Sequence, residues 1–194
     1  MSAPPRISAE NTTLLIVDIQ EKLLPLIPET PRMMLNTEFL IDVANLLHVP
    51  IRVTEQYPQG LGPTAEPLAS KLPSERPAKK AFSCCGAEGL VASLDHPQRP
   101  WVLLAGIETH VCVSQTAFDL LDERFQVILP ADALASRFNV DHDYALQRLR
   151  SLGAVVTTVE AITFEWVRTA GHPEFKTFSK LVQERARKLK ELSA

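Results

Sequence analysis

The sequence predicts one α/β domain over residues 1–194, with a six-stranded, mostly parallel sheet between two layers of helices in a Rossmann-like, three-layer α/β/α arrangement. Two features point to it. Short aliphatic or β-branched runs alternate with helix-spaced patterns along the whole chain, and apolar strands joined by helical crossovers belong to parallel sheets covered on both faces. A length of 194 residues is enough for one well-buried domain and short for two.

Each element follows from its local pattern. Thr12–Val17 is a continuous strand, and a helix is expected over about 33–47, where Leu40, Val43, Ala44 and Leu47 share a face. A second strand at 50–54 leads into a Pro- and Gly-rich loop at 55–67, whose 59–67 part reads as a lid or a rigid surface loop. A short strand at 78–82 and a helix at 86–94 follow, then a strand at 101–105 and a helix at 111–122. Strands at 126–129 and 155–158 flank a helix at 141–152. Residues 175–192 form a C-terminal helix with an apolar stripe at Phe175, Phe178, Leu181, Val182, Leu189 and Leu192. Its other faces carry Lys176, Lys180, Arg185, Arg187, Lys188 and Lys190, and the stripe fits either docking on its own domain or a subunit contact.

Composition narrows the partners. A formal charge of −3 and a pI near 6.0 argue against a phosphate backbone as ligand, so a small-molecule substrate is expected and no nucleic acid. No apolar run approaches the roughly 20 residues needed to span a bilayer, so no membrane partner is expected. Cys84, Cys85 and Cys112 are too few for a disulfide framework and show no CxxC spacing. With no apolar or Arg-rich leader evident in the first residues, the expected location is cytoplasmic.

Chemistry concentrates in Val102-Leu-Leu-Ala-Gly-Ile-Glu-Thr-His-Val-Cys112, where a buried strand runs through a turn to a cysteine at a helix start. Unpaired amides and the helix dipole would favour a thiolate there, and the same amides could hold an oxyanion. The bland alternative is a small buried hydrophobe. In parallel sheets, ligands sit beyond the carboxyl ends of the strands, which brings Asp18, Glu55, Lys79, Glu108 to Cys112, and Asp132 to one rim. Asp18 reads as a helix cap or as a general base. Lys79 and Lys80 point to opposite faces of a strand, so one of them faces the rim, and spacing alone does not choose between them. His110 reads as structural, Cys84 and Cys85 as packing residues, and Asp132 as a group that orders a loop.

Together these fragments resemble the isochorismatase-like (cysteine hydrolase) superfamily. The resemblance rests on Leu15-Ile-Val-Asp18-Ile-Gln20, Lys79-Lys-Ala-Phe82-Ser83, Gly106-Ile-Glu-Thr-His-Val-Cys112, Thr116-Ala-Phe-Asp119-Leu-Leu and Ala131-Asp132-Ala133, and it covers about residues 12–158. It implies an Asp18–Lys79–Cys112 triad, the lysine three residues before the aromatic being the family's. It also implies a cis peptide between Ile107 and Glu108, and an oxyanion hole made by the amides of Glu108 and Cys112. Thr54-Glu-Gln-Tyr-Pro-Gln-Gly-Leu-Gly62 is most similar to the isochorismatase-domain-containing subgroup, whose members have no assigned substrate.

Two departures refine the expectation. Nicotinamidases of the superfamily carry an Asp/His metal site after the second strand. Here that stretch is Glu55-Gln56-Tyr57-Pro58, with no histidine between His48 and His96, so no metal and no cofactor are expected. Vinyl-ether-cleaving isochorismatases lack the cysteine, whereas a thiol suits an acyl carbon. The expected activity is therefore hydrolysis of an amide- or ureide-type C–N bond through a thioester. Gln20, Glu55, Tyr57 and Phe82 are candidate pocket walls, and homo-oligomers are expected. The competing readings are a catalytically quiet binding or interaction module, and a thiol-redox protein.

Overall fold

A computed structural model describes residues 6–193. In chain order the main elements are β1 (Thr12–Val17), α1 (Thr30–Leu46), β2 (Ile51–Gln56), α2 (Pro58–Leu61), β3 (Ala78–Lys79), α3 (Leu90–Leu94) and β4 (Trp101–Ile107). They continue with α4 (Ser114–Asp122), β5 (Gln126–Pro130), β6 (Leu134–Ala135), α5 (Asn139–Ser151), β7 (Val155–Thr157), α6 (Val159–Val167) and α7 (Phe175–Leu192).

The sheet has seven strands, six of them in the order β3-β2-β1-β4-β5-β7, and every ladder is parallel. The extra strand is the two-residue β6, which pairs Leu134 and Ala135 with Gly106 and Ile107, beyond the point where β5 stops following β4. Burial on both faces explains the unbroken apolar run of β1. Leu14 and Ile16 pack with α1, α6 and α7, while Leu15 and Val17 pack with α3, α4 and α5. The same alternation places Leu103, Ala105 and Ile107 of β4 in the first layer and Val102 and Leu104 in the second.

The chain differs from the expected elements in places that matter for the site. The expected 78–82 strand shrinks to two residues because only Ala78 and Lys79 reach β2, opposite Glu55 and Gln56. The expected 86–94 helix is a short turn at Cys84–Gly86 followed by the five-residue α3. Cys112 lies not at a helix N-terminus but inside a π-turn, Thr109–Val113, that leads into α4. Helix α6 was absent from the sequence pattern. Its run Val-Glu-Ala-Ile-Thr-Phe-Glu-Trp-Val has no clear polar face, and its start is held both by its own cap, Thr158 Oγ1 accepting from Ala161 N at 3.3 Å, and from outside, by Asp132 Oδ1 accepting from Val159 N at 2.8 Å. No described helix is long and apolar enough to cross a membrane.

Helix α7 docks on its own chain. Phe178 is fully buried, with Phe164 edge-on at 4.8 Å. Arg185, read from sequence as part of a solvated basic face, is buried instead. It donates to Asn36 Oδ1 at 2.8 Å, Glu160 Oε2 at 2.6 Å and Asp132 Oδ2 at 3.2 Å. Burial raises the Asp132 carboxyl above its usual range, with Arg185 opposing part of the shift. Arg185→Met therefore leaves buried acceptors without their donor and is expected to cost about 2–4 kcal/mol at pH 7. Urea unfolding would measure this, and the loss should shrink as the pH falls and Asp132 takes up a proton.

Candidate active site

The carboxyl end of β1 turns sharply: Asp18 has φ +50°, a left-handed conformation that aspartate tolerates better than most residues. Its side chain lies wholly out of solvent between β2, β3 and the turn after β4. Register explains the neighbours. Val17 is paired with Thr54, so Thr54 stands beside Asp18, and its Oγ1 donates to Asp18 Oδ1 at 2.8 Å. Two residues on, Gln56 faces the same way and pairs with Lys79 across the β2–β3 ladder.

Lys79 is the lysine that reaches inward, 4% exposed, while Lys80 is exposed. Lys79 Nζ lies 2.6 Å from Asp18 Oδ2, 2.6 Å from Gln56 Oε1 and 2.9 Å from the Phe82 carbonyl. An ammonium has three hydrogens, and these partners take all of them. Lys79 is thus a fixed cation rather than a free donor for a ligand. Burial pulls its pKa down, but the charge and hydrogen bond of the Asp18 carboxylate oppose that, and the net shift is upward.

Cys112 faces the same carboxylate. Burial pushes its thiol well above the usual range, the charge and hydrogen bond of Asp18 push it further, and Lys79 offsets only part. The π-turn position therefore does not supply the thiolate expected of a helix start. At rest the group is a thiol beside a carboxylate, a pair suited to base-assisted attack.

Side chains brace the turn that carries Cys112. The Ile107–Glu108 peptide is cis, and the Glu108 carbonyl accepts from Val111 N at 3.0 Å and Val113 N at 3.2 Å. Glu108 Oε2 accepts from Arg137 N at 2.9 Å and Nε at 3.0 Å. Thr109 Oγ1 meets His142 Nδ1 at 2.9 Å, and His110 Nδ1 meets Ser136 Oγ at 3.0 Å. His110 thus holds the loop that follows β6. Beneath the turn, Thr116 Oγ1 donates to the Cys112 carbonyl at 2.6 Å and accepts from Cys84 N at 2.8 Å.

The remaining candidates divide. Tyr57 and Phe82 stand half-exposed beside Lys79, with Tyr57 N donating to the Lys79 carbonyl at 2.9 Å. Gln20 is fully buried and acts as a clamp, accepting from Gln56 N at 2.7 Å and donating to Gly62 O at 2.6 Å. Glu55 points to the other face of β2, where its Oε1 accepts from Thr64 N at 2.8 Å and Thr64 Oγ1 at 2.7 Å. The 59–67 stretch is tied to β2 by the Glu55 bonds, and to residues 19–22 by Gln20 Nε2 to Gly62 O, Ala65 N to Ile19 O at 2.9 Å and Lys22 Nζ to Gly60 O at 2.9 Å. Among the described residues, no group of three or more His, Cys, Asp or Glu side chains is placed to hold a metal.

Sequence reasoning did not assign Thr54 or Gln56 to the site, and Cys84, read as a packing residue, is fully buried there. Thr54 and Gln56 carried a usable signal, since period two along β2 puts them on one face once Val17 is aligned with Thr54.

Known proteins share this sequence pattern and fold. The isochorismatase domain family model matches residues 12–161. Human isochorismatase domain-containing protein 2 is 42% identical over 183 residues, covering 93% of this chain and 87% of its own length. The Phytophthora sojae secreted isochorismatase effector Isc1 is 38% identical over 185 residues, covering 92% and 88%. A solved Caenorhabditis elegans structure, described as MAR1 ribonuclease, superposes with a TM-score of 0.86 at 38% identity, covering 92% of this chain and 93% of that one.

Proposed function

The chain belongs to the isochorismatase family and has its hydrolase fold, and from that premise we propose that it is a cysteine-dependent hydrolase of a small-molecule amide or ureide. The observation that carries the reading is a buried carboxylate, Asp18, held by Lys79 at 2.6 Å and by Thr54 at 2.8 Å, with the Cys112 thiol against it.

In the proposed mechanism Asp18 takes the Cys112 proton as sulfur attacks the carbonyl carbon. The amides of Glu108 and Cys112 hold the resulting oxyanion. Collapse expels the nitrogen, which takes the proton from Asp18, and leaves a thioester on Cys112. Asp18, again a carboxylate, then removes a proton from water, which attacks the thioester and releases the acid and the thiol. Lys79 holds the Asp18 charge throughout and moves no proton. Tyr57 and Phe82 are the pocket walls that this reading retains. Self-association belongs to the same reading, with exposed Phe138, Val140 and Tyr144 as a candidate surface, and the unpaired cysteines support a cytoplasmic location.

The test is ammonia release from a panel of small primary amides and ureides, run with wild type and Cys112→Ser. Turnover that disappears in the variant is the expected result. Turnover that survives it removes the thioester route and requires another nucleophile, whereas none across the panel leaves a binding module. The name of the C. elegans relative motivates one more arm: a fluorescent RNA cleaved by wild type and not by Cys112→Ser would replace the amide with a phosphodiester.

A further inference from the structure

Thr54 and Cys84 make and break no bond in the mechanism above, yet both are sealed from solvent beside Asp18. Thr54 Oγ1 donates to Asp18 Oδ1 at 2.8 Å, and the same oxygen lies 3.2 Å from Cys84 Sγ. A hydroxyl has one hydrogen. With that hydrogen on Asp18, the sulfur contact is made by the Cys84 S–H, donating to a lone pair of Thr54. Burial, with the Asp18 charge behind it, pushes the Cys84 thiol up to about 12, so the donor keeps its hydrogen throughout the neutral range.

The sulfur is itself fixed in place. Cys84 N donates to Thr116 Oγ1 at 2.8 Å, and Thr116 Oγ1 donates to the Cys112 carbonyl at 2.6 Å. The contacts close a ring: Cys84 to Thr54, Thr54 to Asp18, Asp18 to the Cys112 thiol, and the Cys112 backbone through Thr116 back to Cys84. The side chains of β2 and of the loop after β3 are thereby referenced to the backbone of the nucleophile itself.

We propose that Thr54 and Cys84 are positioning residues for Asp18: the Cys84 S–H commits the Thr54 hydroxyl hydrogen to Asp18 Oδ1, which holds the carboxylate with one oxygen on Lys79 and its open side toward Cys112. The inference rests on the reading of Asp18 as the base. Hydrogen bonds to a charged group are about twice as strong as neutral ones, so a single hydroxyl suffices to fix one carboxylate orientation. Buried networks of this kind act as a unit and are apportioned by double-mutant cycles.

The experiment is iodoacetamide labelling of Cys112 at pH 7.5, followed by mass spectrometry, with half-buried Cys85 as the internal reference. Asp18 raises the Cys112 pKa through its charge and its hydrogen bond, so a carboxylate that is free to turn raises it less. Thr54→Val keeps the shape and removes the hydroxyl, and is expected to label roughly three- to tenfold faster, within one unit of thiol pKa. Thr54→Ser keeps the hydroxyl and is expected to label at the wild-type rate. Cys84→Ala is expected to speed labelling by a smaller factor, and to add nothing on top of Thr54→Val. A wild-type rate for Thr54→Val, a fast Thr54→Ser, or additive effects would each overturn the proposal. Asp18→Asn is run in parallel. If it alters labelling while Thr54→Val does not, only the positioning role falls. If it too is silent, the coupling of Asp18 to Cys112 falls, and with it the hydrolase mechanism.

Discussion

Asp18→Asn is expected to lower turnover of any amide found in the screen by roughly 100- to 1,000-fold, the usual worth of a positioned acid–base group, while making Cys112 easier to alkylate. The two effects oppose each other because Asp18 has two influences on the sulfur. In the proposed mechanism it moves, as a base and then an acid, the proton that attack and departure both require. As a fixed negative charge it holds the resting thiol protonated, through its charge and its hydrogen bond. Removing the charge leaves Lys79 unopposed, and Lys79 favours the thiolate. The pH at which alkylation sets in should therefore fall by about one to two units. Lys79→Met should move the onset upward, because the remaining carboxylate then acts alone. Labelling rates between pH 6 and 10, measured alongside turnover, decide the matter. A slower-labelling Asp18→Asn would mean that Asp18 activates the thiol at rest rather than during attack.

The second large effect is structural. Gly106 of β4 lies opposite Val17 and has φ +136°. A Cβ added there would run into the Val17 carbonyl oxygen and lie 2.9 Å from the Val17 carbonyl carbon and nitrogen. These are backbone atoms of a central strand with a neighbour on each side, so nothing nearby is free to give. Gly106→Ala is expected to cost about 3–5 kcal/mol, the range of the severest single substitutions, out of a total that is commonly 5–15 kcal/mol. Gly153→Ala supplies the contrast, because it shares a positive φ of +103° but has no atom within 4 Å of the new Cβ. That variant should lose only about 1 kcal/mol, from conformational strain. Equal losses in denaturant melts would show that backbone conformation, not the approach of β1 to β4, sets the requirement for glycine.

The elements that composition revealed are those that burial makes extreme. β1 and β4 are covered on both faces, so their strand character shows as unbroken apolar runs. β3 and β6 have two residues each, too few for any period. α6 is apolar around much of its circumference, so periodicity could not identify it as a helix. At the site, Asp18 and Cys112 were visible because each follows such an apolar strand. The choice of Lys79 over Lys80 came from the family pattern. The geometric reason is that Lys79 sits opposite Gln56, a fact of register. Thr54 and Cys84 stayed hidden for the same reason, since their meaning depends on which strand lies next to which. The π-turn at Cys112 leaves no mark in composition, so the pattern predicts a helix start and a more acidic thiol there, whereas burial and Asp18 push the thiol upward.

The brevity of β3 bears on how the protein would lose its chemistry. Two residues at the edge of a sheet, paired with Glu55 and Gln56 of β2 on one side, form a local unit of low intrinsic persistence. Its inward anchor is the ammonium of Lys79, gripped by Asp18, Gln56 and the Phe82 carbonyl. The strand is therefore retained by the ion pair that it delivers. Fraying of this one edge would withdraw the cation and leave the layers around β1 and β4 intact, so a folded form that lacks the Asp18–Lys79 pair is expected before the core comes apart.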